Sequence, residues 1–271
     1  MNAAVIEIAS FGALAFAAVL FLVQATSGEI GLRLGLRQAR NDQAPREGVG
    51  VIVGGMLGLL AFVLALTLSH SSARFQERRT GVLAEANAIG TAWLRAQAIG
   101  GPRGLEIARL LEDYTRQRIA FVAADRAAEG IAAINARTAT MQGEMWGHAT
   151  AISRERPDAV AAGLLAALNE TFDLATSERL AFSLGIPPVL FWLLSAMSTL
   201  TIGSLGYQLG MRNQRLRLMS LVLVAMWTAI LTLVFDLGAP RLGGIRVGTA
   251  AYEWTLQGFQ GGVTIPPAPA R

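Results

Sequence analysis

The 271-residue chain contains no cysteine and no lysine, and only two histidines. Without cysteine there is no disulfide, no thiolate metal site and no cysteine nucleophile. Without lysine, all 23 basic residues are arginine. Arginine is always charged and grips carboxylate or phosphate bidentately, although a GC-rich genome accounts for the same bias. The two histidines are His70 and His148. Glu144 and His148 lie one helical turn apart but fall short of the three protein ligands of a catalytic zinc, so no metal is expected. No serine stands in a nucleophile elbow and no glycine-rich loop opens a helix after a strand. Acidic pairs such as Glu112-Asp113 have arginine neighbours and suit a solvated helix face. The chain is therefore expected to be no enzyme and to carry no cofactor. Its net charge of +4 is scattered, with no basic block of the kind that draws nucleic acid.

Charge itself is scarce, at 15% of residues, and it is unevenly placed. Ile8–Gly28, Gly48–Ala73, Leu180–Met211 and Leu218–Phe235 contain no Asp, Glu or Arg. A helix needs about 20 apolar residues to cross a ~30 Å hydrocarbon layer, and one ionised side chain at mid-membrane costs at least ~2.5 kcal/mol. The runs come as two pairs around a charge-dense segment. The expected fold is an all-α membrane protein with four transmembrane helices, two plus two, and an antiparallel helical bundle inserted between spans two and three. The corresponding divisions are 1–73 (first pair), 74–179 (soluble bundle), 180–236 (second pair) and 237–271 (interfacial segment and flexible tail).

Met1–Glu7 carries no arginine, and the first run is too long for a signal-peptide core. It is expected to be an uncleaved span ending near Thr26–Gly28, with Pro45 in the loop before span two. In span two, Gly50, Gly54 and Gly58 fall at four-residue spacing, so one face lets another helix approach closely. That face suits packing against span one, or else a subunit contact or a pore lining that includes Phe62. In span three, Pro187-Pro188 suit a first turn. A hydroxyl band follows: Ser195, Ser198, Thr199, Thr201 and Ser204. It suits interhelical hydrogen bonds or a polar path. No carboxylate, histidine or arginine lies within the spans proper, which argues against proton-coupled transport and leaves passive conduction open.

Beyond span two, Val82, Ala86, Ile89 and Trp93 recur at helical intervals among the charged Arg78, Glu85 and Arg95, until Gly100-Gly101-Pro102 ends the helix. A second pattern has Ile107, Leu110, Leu111, Tyr114 and Ile119 apolar, with Glu112, Asp113, Arg116 and Arg118 expected in water. A third runs from about Glu129 to Ser153. Pro157 stops it and starts a fourth through Val160, Leu164, Leu168 and Leu174. Four helices with short breaks make an antiparallel bundle, and an even number returns the chain to the membrane face it left. After span four, Asp236 and Arg241 flank a glycine-proline turn as a pair or cap. Tyr252, Trp254 and Phe259 suit a membrane interface, and Pro266-Pro267-Ala268-Pro269 suits a disordered tail.

Loops one and three share a side and hold Arg33, Arg37, Arg40, Arg46, Arg212, Arg215 and Arg217. The other side has Arg74, Arg78, Arg79, Arg179, Arg241 and Arg246 near span ends. The N-terminus, bare of arginine, tips the balance. Both termini and the bundle are expected outside the cytoplasmic membrane of a bacterium.

Two stretches carry a family resemblance. One is Arg74-Phe75-x-x-Arg78-Arg79, continuing through Glu85-Ala86-Asn87-Ala88-Ile89-Gly90-Thr91-Ala92-Trp93-Leu94-Arg95. The other is Phe235-Asp236-Leu237-Gly238-Ala239-Pro240-Arg241-Leu242-Gly243-Gly244-Ile245-Arg246-Val247. With the two-plus-two layout, they resemble a family of bacterial four-span membrane proteins described as bestrophin-like. Bestrophins are anion channels built as rings of five, with a helical domain outside the bilayer and the second span lining the pore. The resemblance thus implies a homo-oligomeric chloride or bicarbonate channel, with Gly54, Gly58 and Phe62 near its path. Arg74, Arg78, Arg79, Glu85 and Arg95 would then form either an electropositive vestibule that concentrates anions or a set of ion pairs at the bundle base. A competing expectation is a membrane-anchored sensor or scaffold whose bundle binds a ligand or partner protein.

Overall fold

A computed structural model describes residues 13–40, 46–125, 127–214, 216–241, 243–264 and 266. Residues 1–12, which include the start of the first apolar run, lie outside that set, as do Pro45, Arg215, Leu242 and the tail prolines Pro267 and Pro269. Among the described residues there are eight helices and no strand: α1 (Ala13–Gln38), α2 (Arg46–Ile99), α3 (Gly101–Ala123), α4 (Ala128–Glu155), α5 (Ala159–Ser183), α6 (Pro188–Met211), α7 (Arg217–Gly238) and α8 (Ala250–Gln260). α1, the first part of α2, α6 and α7 are long and apolar enough to cross a membrane. This is an all-helical, multi-pass membrane protein.

The breaks follow local chemistry. Gly100 and Gly101 both hold φ of +63° between α2 and α3, a region that costs glycine nothing. At the start of α5, the Asp158 carboxylate accepts from the N–H groups of Val160 and Ala161. The Ala161 amide first, and the Arg156 guanidinium next, hold its pKa below the ordinary carboxylate value. α6 begins at Pro188, where a missing N–H is harmless.

The chain falls into two compact units, residues 1–75 with 185–246 and residues 76–184 with 247–271. α2 runs unbroken from Arg46 to Ile99 and supplies residues to both. In the first unit, α1 and α6 lie backbone to backbone. A Cβ built on Gly31 would land on the carbonyl oxygen of Gly203, and one on Gly206 would land on that of Gly28. One on Gly203 would sit 2.6 Å from Ser27 Oγ. Gly28, Gly31 and Gly35 on α1 and Gly203, Gly206 and Gly210 on α6 share the same three-then-four spacing, so both rows stay on one helical face. The contacts advance together along both helices, from Gln24–Ser198 to Gly35–Tyr207, so spans one and three run parallel.

The closest helix pair therefore differs from the expected packing of span two on span one. Among the described residues, a Cβ at Gly54 or Gly58 meets nothing within 4 Å, and Gly50 faces Gln208 of α6 and Arg212 just beyond its end. Two span ends also move. α1 continues past Gly28 to Gln38, with Arg33 Nε bonding Glu29 Oε1 one turn back at 3.0 Å. The charge-free run from Leu180 contains the end of α5, whose Phe182 is buried against Phe121 at 5.5 Å between ring centroids. Absence of charge does not distinguish hydrocarbon from a protein core, and the proline pair marks the true start of the span.

The second unit is α3, α4 and α5 packed with the outer part of α2 and with α8. Val82, Ala86, Ile89 and Trp93 meet Ile107, Leu111, Met145, Leu164 and Leu168 in one core. α8 corrects the expected interfacial segment. Tyr252 is fully buried there, and Phe259 stacks on Trp93 at 4.7 Å, while Trp254 remains exposed. The same amphipathic aromatics suit a bilayer surface or a bundle groove, and here Tyr252 has a buried hydrogen-bond acceptor that no lipid surface supplies.

Candidate functional site

Two polar assemblies are built into the helices. In the first unit, Gln24 of α1 is fully buried and donates from Nε2 to Ser198 Oγ of α6 at 3.1 Å, while Thr228 Oγ1 of α7 donates to Gln24 Oε1 at 3.4 Å. Ser27 Oγ donates to the carbonyl of Thr199 at 2.8 Å, and Thr199 Oγ1 turns back to the carbonyl of Ser195 at 2.7 Å. Two of the five hydroxyls in the span-three band, Ser198 and Thr199, are thus engaged in interhelical or intrahelical hydrogen bonds, the usual polar adhesive of membrane helices.

The second assembly lies in the other unit around the Glu85 carboxylate. Arg118 approaches it bidentately, Nε to Oε1 at 2.6 Å and Nη2 to Oε2 at 3.0 Å. Tyr252 donates to Oε2 at 2.7 Å and Tyr114 to Oε1 at 3.2 Å, and Gln142 Nε2 donates in turn to the Tyr114 oxygen at 3.3 Å. The Arg118 guanidinium also lies 4.4 Å from the centroid of the Phe121 ring. α2, α3, α4 and α8 all contribute. Glu178 of α5 is buried nearby, its carboxylate against the backbone at Gly81, where a Cβ would stand 2.5 Å from Oε1. Glu85 has four lone-pair positions, and these four donors occupy them. The arrangement binds helices to one another; it offers no acceptor to a substrate.

Burial, followed by the charge of Glu85, raises the Tyr114 and Tyr252 phenols above their ordinary value. Burial alone would lower the Arg118 guanidinium, but the Glu85 charge opposes that and wins, so Arg118 is held above its ordinary value. A group raised on folding contributes stability that is complete below its unfolded pKa and is lost as pH rises beyond it. With unfolded tyrosine at about 10, the thermal midpoint should fall as pH climbs from about 10 to 11. Tyr252→Phe should begin lower but show a shallower fall, because one of the two shifted protons is gone. Circular dichroism melts at pH 8 and 11 check this, and an identical slope in both proteins contradicts it.

The five vestibule candidates do not share one environment. Arg78 and Glu85 are buried, Arg74 is half-buried, and Arg79 and Arg95 are exposed, with Arg95 donating to the Gly163 carbonyl. Arg118, expected in water, is 1% exposed. It continues the Leu111–Tyr114–Phe121 stripe, so it faces the core, and only Glu85 opposite makes that tolerable. The sequence contained that signal: a charged residue in register with an apolar stripe needs a buried partner. Asp236 Oδ1 accepts from the Ile245 N–H at 3.4 Å and its carboxylate lies against Gly243, closing the turn around half-buried Arg241. Of the pore candidates, Gly54, Gly58 and Phe62 lie exposed on α2, and Ser195 is turned inward.

A family model described as Bestrophin-like domain matches residues 17–252. No curated protein and no solved structure matches the chain.

Proposed function

The chain belongs to the bestrophin-like family, and on that premise we propose that it is a passive anion channel, conducting chloride or bicarbonate as a homo-oligomer. One observation carries this reading. Among the described residues, Gly54, Gly58 and Phe62 form an uncovered face on a charge-free stretch of α2, and a helix that serves its own protomer alone has no need of glycines there. Several copies turning this face inward would line a path that small residues leave open and Phe62 narrows, a hydrophobic constriction of the kind that gates by dewetting. A ring of five follows only from the bestrophin analogy.

Protein in liposomes should release chloride down its gradient, and Gly58→Trp should stop the flux while leaving the protomer's melting unchanged. Wild-type protein that conducts neither chloride nor bicarbonate, beside a control channel that does, rules the reading out. By the arginine balance we place the loops after α1 and α6 in the cytoplasm of a bacterium and the 76–184 bundle outside. Since the chain has no cysteine, Gly130→Cys, at an exposed position of α4, gives a single thiol for an impermeant label on intact cells. The second unit's separate core favours one competitor, a membrane-anchored scaffold whose bundle recruits a partner; that reading predicts no flux at all.

A further inference from the structure

We infer that the cleft between α1, α6 and α7 binds one phospholipid with an anionic headgroup, its phosphate on the arginines at the rim and an acyl chain in the slot. The cleft has a volume of about 160 Å³. Its floor is bare backbone, because Gly28 and Gly206 bring α1 and α6 into direct contact. Its inner walls are apolar, with Ile202 and Val224 among them, and its polar lining is Glu29, Arg217 and Ser220. Val224 lies seven residues beyond Arg217 in α7, which at 1.5 Å per residue puts it about 10 Å deeper. The slot is thus apolar in depth and charged at one end, as an amphiphile is.

The rim charge selects the headgroup. Glu29 Oε1 receives both Arg33 Nε at 3.0 Å and Arg217 Nη2 at 3.2 Å. One carboxylate cannot neutralise two guanidiniums, so the rim keeps an excess of one positive charge. Arg33 and Arg217 are 71% and 63% exposed, and each has further N–H groups able to take a phosphate in charge-assisted bonds. A soluble anion would satisfy this rim but leave the apolar slot unfilled. A zwitterionic lipid would fill the slot but bring a cation to an already positive rim. An anionic phospholipid satisfies both, and basic pockets between membrane helices are where such headgroups settle.

The test uses the full chain in mild detergent, given phosphatidylglycerol, phosphatidylcholine or inorganic phosphate. Phosphatidylglycerol should raise the melting temperature more than phosphatidylcholine does, phosphate should leave it unmoved, and native mass spectrometry should retain about one phosphatidylglycerol per protomer. Arg217→Gln should cut that retention about tenfold. Ser220→Phe, which fills the slot and keeps every rim charge, should cut it as well. Equal shifts from the two lipids, a phosphate shift matching that of phosphatidylglycerol, or unchanged retention in both variants overturns the inference. Should a variant fail to fold, the three-ligand comparison on the unaltered chain still decides.

Discussion

Arg118→Leu should lower the thermal midpoint by on the order of 10 °C. Leucine covers the arginine's apolar neighbours but leaves the Glu85 carboxylate buried with two phenols for company and no counter-charge. Breaking a buried pair from one side costs about 3–5 kcal/mol, and a protein of this size loses about 2–4 °C per kcal/mol. Because the penalty comes from the abandoned carboxylate more than from the lost attraction, removing both charges should hurt less than removing one. Glu85→Leu with Arg118→Leu should therefore recover several degrees over Arg118→Leu alone, with Tyr114 and Tyr252 left as the residual cost. A double variant that melts below the single one would mean that the pair's attraction, rather than its mutual neutralisation, holds these helices.

Gly206→Leu should do comparable damage in the other unit. The first atom of any side chain there would clash with the Gly28 carbonyl oxygen, and a backbone cannot rotate away as a flexible side chain can. α1 and α6 would have to separate, which pulls apart Gln24 and Ser198 and leaves polar groups unsatisfied within the membrane. Overpacking alone costs about 1–3 kcal/mol, and the lost hydrogen bonds add to it, so detergent extracts should contain aggregated or unstable protein. Gly58→Leu introduces the same side chain at a position with nothing within 4 Å among the described residues, and it should melt like the parent. Size-exclusion profiles and melts of the two variants compare them directly. Equal loss would mean that the α1·α6 contact is not the tight one.

The contrast between these glycine positions explains what could be read in advance. Four-residue spacing in span two announced a surface made for close approach, and the glycines of spans one and three carry an equal signal. Spacing says that a face is smooth; it does not say which smooth face meets which. The same holds for charge. Glu85 was recognisable as one of a few acids in a helical stretch, but its partner stands 33 residues away in Arg118, on a different helix. Asp113 and Arg116, which flank the buried Tyr114 and Thr115 directly, do lie at the surface and pair with each other at 2.7 Å.

Lipid as the solvent of four segments, a helical insert between the pairs, and breaks at Gly100-Gly101, Pro157 and Pro187-Pro188 were determined by the sequence by itself. Each rests on a property of a short stretch of chain: desolvation of charge, backbone freedom, or a missing donor. Only the tertiary structure decided that spans one and three are the intimate pair, that Arg118 lies inside, and that α8 returns to complete the Glu85 cluster with Tyr252. Those outcomes depend on which faces come together across long separations, where several pairings satisfy the same local pattern and the difference lies in fit between surfaces that sequence order does not bring side by side.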